Sequence, residues 1–295
     1  MVEKTEKDFC FCTLTMGNKY RQLTSLLAKD IEEYSPGTTL IIFTDKPSDF
    51  SNYKNVIAYQ YKRHDVAYHY ERRFAIAKAL SMFNSCIYMD GDMRICAPVP
   101  PEMKWLPGIT AISCTSMIEH IKGLLEKTNP PRPNQVKAFE FYQKMARKVD
   151  LDIEADQVIW INESLFVVTK DGGKEIEFLK LWDKLAIYAD LHGYHDAPCY
   201  PIGLAAKKTG FTIRRDMMEG LDYFDDRIEK VRISKGQSDP NAKKVYFEMQ
   251  KSIENPQRTI AQKILNKLSR KVEYFYHLNR VKLMAMIEDF DFYYR

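Results

Sequence analysis

Two carboxylates, Asp90 and Asp92, stand on either side of Gly91 at the end of an apolar run: residues 86–95 read CIYMDGDMRI. Residues 86–89 read as a short buried strand, and on extended backbone residues two apart point the same way. Carboxylates this close repel, and one has its pKa raised unless a cation lies between them. Oxygen-only ligands favour Mg²⁺ or Mn²⁺, with substrate phosphates completing the octahedron. Gly91 removes a side chain where a ligand could approach closely. In open α/β sheets ligands bind outside the carboxyl ends of strands, which is where this pair sits. D-G-D is also common in solvated turns, so the surrounding elements must decide.

Those elements alternate. Residues 9–15, FCFCTLT, form a strand candidate, and residues 19–34 a helix candidate closed by SPG. TTLIIFTD, ending at Asp45, and NVIAYQY follow as strands. HYERRFAIAKALSMF reads as a helix with Ile76, Leu80 and Phe83 on one face, and it runs directly into the strand before Asp90. Arg72, Arg73 and Lys78 on that helix could reach a diphosphate at the strand end. GITAISCTS and VIWINESLFVVT supply further strands. A later helix, KEIEFLKLWDKLAIYAD, is expected to turn Ile176, Leu179, Trp182, Leu185 and Ala186 inward. The alternation predicts an α/β fold with a mostly parallel sheet flanked by helices. Residues 1–250 are expected to form this body, and residues 251–295 a basic, aromatic helical extension.

Composition narrows the function classes. The chain has 295 residues, 45% hydrophobic and 28% charged, with a net charge of +4. Residues 251–295 carry nine Lys/Arg against five Asp/Glu, so the remaining 250 residues balance to zero. A neutral body argues against nucleic-acid binding and leaves any attraction to anionic surfaces to the tail. The six cysteines, Cys10, Cys12, Cys86, Cys96, Cys114 and Cys199, form no CxxC pair, and they read as reduced thiols of a cytoplasmic protein. The N-terminal MVEKTEKDFCFC lacks the apolar core of a signal peptide, and no apolar run reaches the roughly 20 residues of a membrane span.

YMDGDMRI resembles the DxD motif of nucleotide-sugar-dependent glycosyltransferases of the GT-A fold, and the resemblance extends over about residues 8–215. It implies a divalent metal, Mn²⁺ or Mg²⁺, held at Asp90 and Asp92. It also implies a nucleotide-sugar donor, with UDP the commoner nucleotide, and a glycan or other hydroxyl acceptor. ERRFAIAKAL resembles the helix whose arginine touches the donor; Arg73 is the best match, with Lys78 second. CTLTMGNKY resembles the segment that holds the nucleobase, through Thr13, Leu14, Thr15 and a stacking Tyr20, and IIFTD places Asp45 near the base or ribose. WINESLFVV resembles the acceptor-side segment of retaining members, and GYHDAPCYPIGLAA their later polar elbow. The resemblance therefore offers Asp196, with neighbouring His195, as the carboxylate facing the anomeric carbon, and Glu163 as its rival. The elbow lacks the family's usual Asp-Glu or Asp-Gln pair. His192 and His195 could complete a metal shell or serve as hydrogen-bonding loop residues.

Two other functions compete. A sugar-phosphate nucleotidylyltransferase needs a glycine-rich loop after the first strand, and TLTMGNKY has one glycine. A catalytically inactive scaffold would act through the tail. There, Ile260, Ile264, Leu268, Val272 and Phe275 lie near one helical stripe, with Lys263, Lys267, Arg270, Lys271, Arg280 and Lys282 around it. Such a helix packs on the body, on a second copy, or on a membrane surface as a peripheral attachment.

Overall fold

A computed structural model describes residues 7–195, 197–254 and 260–295. The chain opens with strand β1 (Phe9–Thr15), helix α1 (Gly17–Tyr34), β2 (Leu40–Thr44), β3 (Val56–Gln60), α2 (Tyr68–Met82) and β4 (Ser85–Met89). A two-residue strand β5 (Arg94–Ile95) follows, then β6 (Gly108–Ala111), β7 (Cys114–Ser116), α3 (Met117–Leu125) and α4 (Pro133–Arg147). Next come β8 (Ile159–Ile161), β9 (Leu165–Thr169), α5 (Lys174–Leu191), α6 (Cys199–Thr209), β10 (Ile213–Arg215) and β11 (Tyr223–Phe224). Helices α7 (Asp226–Ser234), α8 (Pro240–Glu254), α9 (Ile260–Glu288) and α10 (Phe290–Tyr294) complete the described chain.

Seven strands form the main sheet in the order β10-β6-β9-β4-β1-β2-β3. β1 to β4 pair in parallel, as do β6 and β10, and β9 alone runs antiparallel, between β4 and β6. The expected mostly parallel sheet flanked by helices is present. Its central strands β4 and β9 are buried along their whole length, as strands covered by helices on both sides must be, whereas the edge strands β3 and β10 are partly exposed. In β1, Cys10 and Cys12 join the core under α2, α5 and α6, whereas Phe9 and Phe11 join the core under α1. In α5, Trp182, Leu185 and Ala186 are buried as expected, but Ile176 is 54% exposed. Phe178 occupies the inward position of that first turn instead. α8 crosses the expected boundary at residue 250, and the later part of α9 packs on α5.

Two topological facts position the site. Because β9 runs against β4, the residues just before β9 arrive at the same edge as the residues just after β4; Met89 faces Leu165. A separate antiparallel ribbon pairs β5 with β11, Phe224 opposite Arg94 and Tyr223 opposite Ile95. That pairing brings Asp225, the residue after Phe224, next to the turn that holds Asp92.

Candidate active site

Asp90 leaves β4 at the carboxyl edge of the sheet, and its N–H donates to the Ser164 carbonyl at 2.9 Å. Its carboxylate accepts from the Tyr88 hydroxyl at 3.1 Å and lies 3.5 Å from the Arg72 guanidinium. Arg72 is buried; it donates to the Glu163 carbonyl and, at 2.9 Å, to the His69 carbonyl, and it lies over the Tyr88 ring. One arginine thus ties the start of α2 to the ends of β4 and β8. Burial raises the Glu163 carboxyl, and the nearby Arg72 opposes the shift.

Asp92, two residues on, faces a different neighbourhood. Burial, with the carboxylates of Asp90 and Asp225 adding repulsion, pushes it up to about 7, and Arg227 only partly offsets this. Asp225 caps α7, accepting from the N–H groups of Arg227 and Ile228 at 2.9 and 3.0 Å. Burial raises its carboxyl too, Asp90 again contributing. The exposed Arg227 lies close enough for Asp92, Asp225 and Asp90 to raise its guanidinium.

Beside Glu163 opens a cavity of about 300 Å³ between α3, α4, β8 and the start of α6. Its walls include His120 stacked on Trp160 at 3.8 Å and Tyr142 stacked on Tyr200 at 3.7 Å.

No protein-family model matches the chain, and no curated protein matches it. Among solved structures it is similar to the apo structure of WbbM, a bifunctional glycosyltransferase. The identity is 12%, over 73% of this chain and 40% of that one, with a TM-score of 0.44. The chain therefore spans about two-fifths of the WbbM chain. A likeness of this extent says nothing about the chemistry of the site, which rests on the geometry.

That geometry brings together Arg72, Asp90, Gly91, Asp92 and Glu163 among the residues singled out from the sequence. It does not bring Arg73. The Arg73 guanidinium is buried against Asp65 at 2.5 Å and Asp183 at 2.5 Å, on the side of α2 that faces α5. Adjacent helix residues point about 100° apart, so only one of the two arginines can turn to Asp90, and it is Arg72. Lys78 lies further down α2, over the ring of Tyr59, nearly two turns from Arg72.

The glycine is also required by packing. A side chain on Gly91 would meet the Thr24 hydroxyl at 2.3 Å, and that hydroxyl donates to the Gly91 carbonyl at 3.1 Å. Thr24 fills the space on that side of the glycine. Thr13 and Thr15 are buried beside it, with hydroxyls that have no hydrogen-bond partner among the described residues, and Leu14 is half-buried. Asp45 takes both oxygens to Arg21 at 2.7 Å and accepts from the Gly17 N–H at 3.1 Å, so it fastens β2 to α1. Tyr20 is exposed on the first turn of α1, with Lys19 over its ring at 4.8 Å.

Both histidines of the elbow hold hydrogen bonds. His192 bonds the Tyr188 carbonyl at 2.9 Å; His195 bonds the buried Asp190 at 2.7 Å and faces the Tyr274 hydroxyl of α9 at 3.5 Å. Asp196 lies outside the described residues. Among the described residues no group of three or more His, Cys, Asp or Glu side chains is arranged to hold a metal ion.

Asp225 and Arg227 were not legible in the sequence as site residues. The D-D-R of residues 225–227 signals only a helix start. Pairing of β11 with β5 is what delivers them.

Proposed function

We propose that the chain is a divalent-metal-dependent glycosyltransferase that moves a sugar from a nucleotide-sugar donor, a UDP-sugar, to a hydroxyl acceptor. The observation that carries this reading is the Asp90–Gly91–Asp92 turn at the carboxyl edge of the sheet, where Asp92 is pushed up to about 7 by burial and by Asp90 and Asp225. Buried carboxylates that repel one another suit a hard cation, and oxygen-only donors suit Mn²⁺ or Mg²⁺. Fewer than three protein ligands among the described residues suits an ion that takes the rest of its shell from a diphosphate. The residues therefore fit such a group: Asp92 and Asp90 would hold it, and it would supply charge stabilisation to the leaving diphosphate.

The chain's own residues account for the rest. Arg227, exposed at the same edge, offers a guanidinium to the diphosphate oxygens. Arg72 fixes Asp90 and the Glu163 backbone in one arrangement, so the donor and acceptor sides keep their spacing. The bond from the anomeric carbon to the diphosphate oxygen breaks, its electron pair leaving with the diphosphate. The acceptor oxygen forms the new bond from the face the diphosphate leaves and passes its proton to the departing diphosphate oxygen. Positive charge on the sugar during this exchange calls for a carboxylate. Glu163 supplies it here, next to the aromatic cavity that receives the acceptor, and the stereochemistry is retaining.

Hydrolysis of a panel of nucleotide sugars, with and without Mn²⁺, tests the reading. One donor should be turned over in a metal-dependent manner, and Glu163→Gln should lower turnover far more than it weakens donor binding. No turnover of any nucleotide sugar with Mn²⁺ or Mg²⁺ would overturn it. The anomeric configuration of the product, read by NMR, tests retention separately.

A further inference from the structure

Helix α9 carries two apolar faces, and only one is covered. Over its second half, Val281 and Ala285 are buried, and Tyr274 and Leu278 pack against the same core. At about 100° per residue these four share one side of the helix. Over the first half that same side carries Lys267, Arg270 and Lys271, all exposed. A cationic face does not pack on an apolar core, so the first half is left standing off it.

From Ile264 to Leu283 the other side is apolar, interrupted by Asn279. Ile264, Leu268, Val272, Phe275, Tyr276 and Leu283 fall within an arc of about 120°. None is covered: Val272 is 70% exposed, and Ile264, Leu268 and Phe275 are each more than half exposed. From residue 264 to residue 283 the stripe runs about 30 Å. An uncovered apolar strip of this size on a folded chain marks an interaction surface. Lys271 and Lys282 lie along one edge of it.

We infer that this stripe seats α9 in the plane of an anionic lipid surface. Charge decides the occupant. A second copy docked stripe to stripe would set the tail's excess positive charge, nine Lys/Arg against five Asp/Glu, against itself. Anionic headgroups neutralise the same charge. The arc is wider than the two-in-seven seam of a coiled coil, and an apolar face backed by lysines and arginines is the pattern of an interfacial helix. No helix among the described residues is long and apolar enough to cross a membrane, so α9 lies on the surface rather than through it. The covered face of its second half stays on the body and orients it.

Cosedimentation of the full chain with vesicles tests this. Vesicles of phosphatidylcholine mixed with phosphatidylglycerol should bind the chain at low salt, and vesicles of phosphatidylcholine alone should not. High salt should weaken binding roughly tenfold or more. Val272→Asp and the pair Lys267→Glu/Lys271→Glu alter exposed positions only. Each should lower binding by about tenfold or more, with unfolding by urea unchanged. Absence of binding to the anionic vesicles at low salt would overturn the inference. So would a dimer in light scattering that Val272→Asp dissociates while vesicle binding persists unchanged. Equal binding to both vesicle types would refute the role of the lysines.

Discussion

Arg72 turns its guanidinium to Asp90 at 3.5 Å, while its neighbour Arg73 turns away into Asp65 and Asp183. One residue step on a helix separates a side chain at the candidate active site from one that holds two helices and a loop together. The two arginines should therefore fail in different ways. Arg73→Ala strips the partner from the buried Asp65 and should cost on the order of 3 kcal/mol of stability. UDP affinity of the folded fraction should be preserved. Arg72→Lys keeps the charge but loses the fork that spans Asp90 and the Glu163 carbonyl, so turnover should fall roughly 10- to 100-fold with the fold intact. Urea unfolding and UDP titration of both variants check this; an Arg73 variant that unfolds normally yet loses UDP would reverse the assignment.

Asp92 should show opposite effects on stability and on turnover. Its folded pKa of about 7 lies above the ordinary 3.8, so its contribution to stability is full below about pH 4 and is lost as pH rises through 7. At about pH 8 the ionised carboxylate opposes folding, and Asp92→Asn should be as stable as the wild type or up to about 1 kcal/mol more stable. Turnover should nevertheless drop on the order of 10²-fold, because the charge that would hold the cation is gone. A variant that is both less stable and fully active would place Asp92 in a structural turn.

Gly91→Ala should destabilise by about 1–3 kcal/mol, because the added methyl displaces the Thr24 hydroxyl from its place against the Gly91 carbonyl. Thr24→Ala in the same chain makes room, so the double variant should recover part of the loss. A double-mutant cycle in urea measures the coupling; strict additivity would show that Thr24 is not the obstacle.

Glu71 gives a pH dependence unrelated to the active site. It is buried at the start of α2 and accepts from the N–H groups of His64 and, at 2.7 Å, Asp65. Burial, with Asp65 adding repulsion, pushes its carboxyl up to about 8 from the ordinary 4.5. Its stabilising contribution is thus complete below about pH 4.5 and is lost as pH rises through 8. Glu71→Gln keeps an acceptor for both N–H groups and cannot ionise. Relative to wild type it should gain on the order of 1–2 kcal/mol between about pH 5 and pH 9. Urea midpoints measured across that window should diverge; parallel curves would mean that Glu71 is already ionised at the low end.

What the sequence determined by itself was local. The apolar runs of residues 9–12, 40–43 and 165–168 mark strands covered on both faces, because side-chain direction alternates along a strand and every position in these runs is apolar. The D-G-D after an apolar strand marks the end of that strand, and apolar residues three or four apart, such as Ile76 and Leu80 or Trp182 and Ala186, mark helices. Periodicity names a helix but not its phase against distant elements, and so Arg72 and Arg73 were indistinguishable and Ile176 was expected inside. Only the tertiary structure decided that β9 runs antiparallel, which sets Glu163 beside Asp90. It also paired β11 with β5, which brings Asp225 and Arg227 to Asp92 from far along the chain. In α9 the packing of the second half left the first half's apolar face open, an outcome set by which side met α5. Each of these depends on strand pairing or helix docking between segments remote in sequence, and no local repeat encodes such a pairing.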